Sequence, residues 1–304
     1  AEDQEPFALD HLQRWLLNEE LIQTQARAVA AGEPLAEVRT ARLDQICRRG
    51  DLPPGGFGEA LAMELEEPMD RLFEQYREAL ARWPQPLAEE MEILFTPAPG
   101  APGAKPQADT DLPADLAPPR EASGEAYRLQ PPSEAPAEAP TDTSVPGIAD
   151  WLGGLRADAA GHLGRVALET SDLVKDRHYP GEKGIRHWGA HLAGNLGELP
   201  LTTLVLSKVG KVELPPLPPD QARRHLAELL RALDEGLRHP LPLATRTTFA
   251  WLKGGGNPGA ARQTYEGGYN QQGEVETDPC LARVYPDYAA LTADGAFTRL
   301  AEAL

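Results

Sequence analysis

Residues 146–173, PGIADWLGGLRADAAGHLGRVALETSDL, decide how the rest of the chain is read. Ile148 to Leu152 and Leu163 to Thr170 have the composition of two short strands. The stretch between them holds Gly and Asp, the residues of tight turns, so a hairpin is expected. The first strand carries Asp150 and the second runs into Glu169-Thr170-Ser171. Side chains two apart on a strand share a face, so positions 169 and 171 point the same way.

Downstream, Ile185 to Leu196 reads as a helix carrying Trp188 and Leu192. Leu204 to Leu206 and Val212 to Leu214 flank LSKVGKV, a hairpin turning at Gly210. Pro219 and Asp220 open a long helix whose Ala222, Leu226, Leu229, Leu230, Leu233 and Leu237 recur at helical spacing, which predicts one buried face. After ATRTTFAWLK come the loop GGGNPG, the polar stretch YEGGYNQQGEVETD, and helical stretches near Cys280 to Tyr285 and Asp294 to Leu304.

Upstream, Met91, Ile93 and Phe95 alternate with Glu90 and Glu92, the period of a half-buried strand. Asp10 and Gln13 form a capping pair before a helix from about His11 into the Ala26 to Ala31 region, with Leu9, Leu12, Leu16, Leu17 and Leu21 as its stripe. A second helix runs from about Leu35 to Gly50, with Arg48 and Arg49 in its last turn where cations suit the dipole. Leu61, Leu65, Met69, Leu72, Tyr76 and Leu80 define a third, which Pro68 is expected to kink or divide. Helices followed by strands with helices interspersed predict an α/β fold, a central mixed sheet flanked by helices.

Residues 96–145 break the pattern with 11 Pro, 11 Ala and a single aromatic, Tyr127. Such a composition cannot offset the entropy of ordering, so the segment is read as a flexible Ala/Pro-rich insert that inflates a hairpin loop within one domain, 1–304. A boundary between two domains is the alternative.

Asp and Glu total 47 against 29 Lys and Arg, a net charge of −18, the wrong sign for a protein that coats DNA unaided. The distribution is uneven. Residues 1–95 hold 20 acids and 9 bases, whereas 146–304 hold 19 and 17 with six of the seven histidines, so phosphate contact is expected beyond residue 146. No apolar run approaches the ~18 residues of a membrane span. Cys47 and Cys280 form no CxxC or Cys/His spacing, and a cytoplasmic location is expected. The opening AEDQEPF, without Met, fits a fragment of something longer.

A carboxylate on one strand and Glu-x-Ser at the end of the next is the layout in which a PD-(D/E)xK nuclease keeps its metal ligands. Such an enzyme needs two carboxylates on a common Mg²⁺ and a lysine beside the nucleophile. Asp150 and Glu169 supply the acids, but Ser171 stands where the lysine belongs and Lys175 lies too far along. Both acids also fit an ordinary solvent-side position. His187 and His191, i and i+4 on a helix, could share a metal, but HWGAH lacks the Glu of the zinc protease motif and a third ligand. A hydrogen-bonded structural pair is the expectation, with no metal site. GGGNPG matches a dinucleotide fingerprint literally; no long strand precedes it and Pro258 is expected to spoil a helix start, so it is read as a loop. Arg156, Arg165, Lys175, Arg177, Lys183, Arg186, Lys208 and Lys211, with His178, His187 and His191 among them, could meet a DNA backbone, and Trp151 or Trp188 could stack on an unpaired base. The alternative is a mixed-charge surface over a core containing both tryptophans.

The ordered set EDQEPFALDHLQRWLLNEELI, GDLPPGGFGE, RHWGAHL, LVLSKVGKVELPPLPPDQA, AWLK, YEGG, GEVE and CLARVYPDY resembles the C-terminal domain of the exodeoxyribonuclease V gamma subunit, RecC of RecBCD. The match touches nearly the whole chain outside 96–145. The resemblance implies a restriction-endonuclease-like, RecB nuclease-like core without nuclease activity, in which Asp150, Glu169 and Ser171 are degenerate positions. It also implies a complex with a helicase-nuclease beta subunit, RecB, and a helicase alpha subunit, RecD, for double-strand break repair. The gamma subunit of that family splits the duplex, channels the strands and reads Chi. DNA contact is assigned to Arg165, Lys208, Lys211, Trp151 and Trp188, no cofactor is expected in this domain, and ATP and Mg²⁺ are used by the partners. An active metal-dependent exonuclease and a pure protein-docking module are the rival readings.

Overall fold

The computed structural model describes residues 9–97, 146–174, 181–269 and 271–303. The expected flexible insert lies almost wholly outside them. The chain opens with three helices, α1 (His11–Ala31), α2 (Leu35–Arg49) and α3 (Gly56–Arg82). Asp10 and Gln13 cap α1 reciprocally, and Gly32 and Gly50 end α1 and α2 in the left-handed region that a side chain would resist. Arg39, nearly buried on α2, ties the three together: it donates to Gln25 on α1 at 2.8 Å and to Glu66 and Asp70 on α3 at 3.3 and 2.6 Å. Pro68 does not divide α3, because Leu65, Met69 and Leu72 on either side are packed in the core and that burial outweighs one missing backbone bond.

Strands β1 (Gln85–Pro86), β2 (Met91–Phe95), β3 (Ile148–Leu152), β4 (Leu155–Ala157) and β5 (Leu163–Glu169) follow. A 3₁₀ turn (Gly181–Lys183), α4 (Ile185–Gly194), β6 (Leu201–Ser207), β7 (Lys211–Leu214) and α5 (Pro219–Arg238) complete the sheet region. The main sheet has the order β1-β4-β5-β6-β7. β5 and β6 are parallel, joined through α4, and the other pairings are antiparallel.

The hairpin expected between Ile148–Leu152 and Leu163–Thr170 does not form. β3 pairs with β2 in a separate two-stranded ribbon, and β5 takes the three-residue β4 as its hairpin partner. Gly153 and Gly154 end β3, the second with φ +71°, and redirect the chain. The Asp158 carboxylate then accepts from the amides of Ala160 and His162 and closes the β4–β5 turn.

All seven residues of β6 are buried, as a strand covered on both faces must be. Leu204 and Leu206, with Val166 and Leu168 of β5, face α1–α3. Leu163 and Leu201 face the other way, into a second cluster with Leu192 of α4, Ala222, Leu226 and Leu230 of α5, and Ile93 and Leu152 of the ribbon. Packing of α5 stops near Leu230, so Leu233 and Leu237, expected on its buried face, are 53% and 76% exposed.

The C-terminal helices α6 (Thr245–Lys253), α7 (Pro258–Glu266), α8 (Glu274–Thr277), α9 (Pro279–Val284), α10 (Tyr288–Thr292) and α11 (Ala296–Ala303) surround a third cluster around Tyr265, Tyr288 and Phe297. Pro258 does not spoil the start of α7. It occupies the first helical position, where no amide bond is lost, behind an Asn257 cap. No helix among the described residues is long and apolar enough to cross a membrane.

Candidate functional site

Along β5 the odd residues Leu163, Arg165 and Glu169 face α4, and the even residues face α1–α3, where the Thr170 hydroxyl just beyond the strand donates to Glu19. Glu169 ends β5 opposite Ser207 of β6 and is 4% exposed. Its two oxygens are taken up by consecutive residues in the first turn of α4. Arg186 Nη1 lies 3.1 Å from Oε1, and His187 Nε2 lies 3.2 Å from Oε2. A carboxylate can only accept, so Nε2 of His187 carries the proton. Burial pushes the His187 pKa below its usual value; Glu169 opposes this, and the nearby Arg165 and Arg186 cations reinforce it. Glu169 is therefore not the solvent-side acid that strand composition favours.

Ser171 lies half-buried in the bend after β5, and Lys175 falls outside the described residues. Asp150 sits on β3, in the ribbon, where its carboxylate is exposed and accepts from the Trp151 amide at 2.8 Å. The two acids thus belong to different sheets. Among the described residues no three His, Cys, Asp or Glu side chains are grouped to hold a metal ion.

His191, one turn beyond His187, serves another strand. Nε2 donates to the Pro215 carbonyl at 3.1 Å, which leaves Nδ1 to accept from the Thr203 hydroxyl at 3.0 Å. Burial lowers its pKa, and the Pro215 carbonyl works against that. The pair is hydrogen-bonded and structural, each histidine locking α4 to one of the two parallel strands.

The DNA-contact candidates are scattered over this frame. Arg165 is half-buried with its guanidinium pKa pulled down by burial, and its Nη1 has no partner among the described residues. Trp188 stacks on His191 with ring centres 5.6 Å apart and leans on His225 of α5. Lys208 and Lys211 bracket the β6–β7 turn; Lys211 is exposed, whereas burial lowers the Lys208 pKa and Asp172 opposes the shift. Trp151 projects from the ribbon, exposed. Arg156 is used structurally, donating to the carbonyls of Trp83 and Pro84 at 2.6 and 2.8 Å. Lys175, Arg177 and His178 lie outside the described residues. In the glycine loop, the amides of Gly255 and Gly256 close onto Leu252 and Trp251 at the end of α6.

The model of the RecC C-terminal domain matches residues 1–97 and 110–256, from α1 through β7 and α5 to the loop after α6. The chain belongs to the RecC C-terminal domain family. The motifs from EDQEPFALDHLQRWLLNEELI to AWLK lie within the matched residues, whereas YEGG, GEVE and CLARVYPDY lie beyond them; membership makes the chain a component of a RecBCD-type DNA repair complex, exodeoxyribonuclease V. No curated protein matches the chain.

Three structurally important residues leave little trace in the sequence. Asn195, buried at the end of α4, donates to the carbonyls of His191 and Leu201 and accepts from the amides of Leu201 and Leu217. It holds the crossover helix, β6 and the approach to α5 in one register; an Asn just past an apolar helix is the only signal it leaves. Glu274 is buried and accepts from the Arg246 and Thr247 amides at the start of α6, a long-range cap that no local pattern reveals. Arg39 looked like any charge on a solvated helix face.

Proposed function

We propose that this domain retains a PD-(D/E)xK nuclease-like framework without its reaction and acts by contact, docking partner subunits and meeting the separated DNA strands during double-strand break repair. The observation that carries the reading is the fate of Glu169. A metal-binding carboxylate must offer its oxygens to a cation and water. Here Arg186 and His187 occupy them, in a buried position, while Asp150 lies on another sheet. The order α3, strands β1 to β5, α4, β6, with β5 and β6 parallel about the crossover helix, supports descent from such a framework. Fold likeness alone does not decide function.

In this reading, ATP and Mg²⁺ are used by the helicase-nuclease beta and helicase alpha subunits. This domain offers exposed Trp151 for stacking and exposed Lys211 for phosphate, with the more buried Lys208, Arg165 and Trp188 as further candidates. The acidic total makes DNA binding by the isolated chain weak.

Incubating the chain with linear duplex DNA and Mg²⁺ or Mn²⁺ tests the reading. The expected result is intact DNA. Robust cleavage that disappears in Glu169→Ala would establish the rival, a working nuclease. Co-purification with the alpha and beta subunits tests docking, and retention of neither would refute it.

A further inference from the structure

The ribbon leaves a strand edge open beside a groove. Five consecutive residues of β2, Met91 to Phe95, line a cleft of about 380 Å³ whose other wall is Ala193, Leu196 to Leu199 and Arg223. Consecutive residues point to opposite faces of a strand, so a cleft touching all five runs along its edge and not over a face. β2 pairs only with β3, and among the described residues its groove-side amides and carbonyls have no backbone partner. The wall is fixed: Arg223 donates to the Leu196 carbonyl at 2.8 Å and to Asp220, tying the loop to α5.

We propose that this edge and wall form a strand-addition site for an extended segment of a protein partner in which apolar residues alternate with lysine or arginine. A strand laid beside β2 would take up its free backbone groups. Side chains on the inner face would meet Leu196 and Leu199. Those on the outer face would lie beside Glu92 and Leu94. Glu92 and Glu198 are exposed at the rim, and neither has an ion-pair partner among the described residues, so the rim favours a cation. Leu94 and Leu199, 69% and 55% exposed, supply apolar surface that such a segment would cover. This site is separate from the Glu169 region and stands whether or not the domain touches DNA.

The test uses the whole chain and three capped heptapeptides: alternating Val and Lys, alternating Val and Glu, and the Val/Lys peptide with prolines at two Val positions. The Val/Lys peptide is expected to slow hydrogen exchange at the amides of Glu92 to Phe95. The proline peptide, which lacks ladder donors, is expected to bind at least about tenfold more weakly. Glu92→Lys with Glu198→Lys, two exposed changes that leave the fold intact by circular dichroism, is expected to weaken the Val/Lys peptide about tenfold and to favour the Val/Glu peptide. The proposal is overturned if β2 gains no protection, if the proline peptide binds equally, or if charge reversal changes nothing. It is also overturned if a single-stranded oligonucleotide gives the same protection, or if the chain alone self-associates through β2.

Discussion

His187 Nε2 lies 3.2 Å from Glu169 Oε2, joining the first turn of α4 to the last residue of β5 by a hydrogen bond that both partners make almost out of solvent. The neighbouring Arg186 is 61% exposed, so its cation recovers hydration when the carboxylate is removed. Glu169→Ala should therefore cost the hydrogen bond and little of the ion pair, about 1–3 kcal/mol, and Glu169→Gln less, because the amide oxygen still accepts from His187. Urea unfolding of the two variants checks the order.

Acid should destabilise the fold through the α4 histidines. The native pKa values of His187 and His191 are lowered by burial, so below the usual 6.5 the unfolded chain takes up protons that the native state refuses. Their contribution is fully present above pH 6.5 and is lost as pH falls through the native values. Thermal midpoints measured from pH 8 to 5 should fall below about pH 6.5, and His191→Gln should flatten the profile; an unchanged profile would contradict it.

Gly164 has no room for a methyl group. A Cβ built there would meet three atoms of the buried Trp83 ring at 2.1 to 2.5 Å. Gly164→Ala should cost about 1–3 kcal/mol or more, as overpacking does, and the same change in a Trp83→Phe background should cost less. A double-mutant cycle by chemical denaturation measures the coupling.

Asn195→Ala removes one side chain that serves two carbonyls and two amides across α4, β6 and the segment before α5. Leaving those groups unpaired in a buried place should cost about 2–4 kcal/mol. Hydrogen exchange should quicken at the amides of Leu201 and Leu217 before it quickens in α1–α3.

Elements with a strong local signal were legible in the sequence: the capped α1, the glycine-terminated α2, β2 with its alternation, the turn at Gly210, and the start of α5 at Pro219. Partnership was less so. For Ile148–Leu152 one of the two expected neighbours holds: it pairs antiparallel with β2, the strand on the other side of 96–145, as the inflated-hairpin reading requires, but not with Leu163–Thr170. A three-residue β4 leaves almost no periodic trace, and the Gly153-Gly154 break settles that pairing. Helical spacing places Leu233 and Leu237 on the buried stripe of α5 but does not say that burial of this face stops near Leu230. Pro258 reads as a breaker in the sequence because a proline at the first helical position and one inside a helix look alike until the Asn257 cap is known. At the site, Glu169 and the two histidines stand out in the sequence, yet their bonds join residues 12 to 24 apart and depend on α4 lying across the parallel strands.

The five-rung ladder from Met91↔Leu152 to Phe95↔Ile148 clasps the two ends of the chain excursion 96–147. Because loop-closure entropy grows only logarithmically with length, doubling the connection between two paired strands adds only about 0.6 kcal/mol. The ribbon is thus a splice point: foreign sequence, whether a tag, a fluorophore carrier or a protease site, can be grafted between its ends while the register of both strands is kept by the ladder itself.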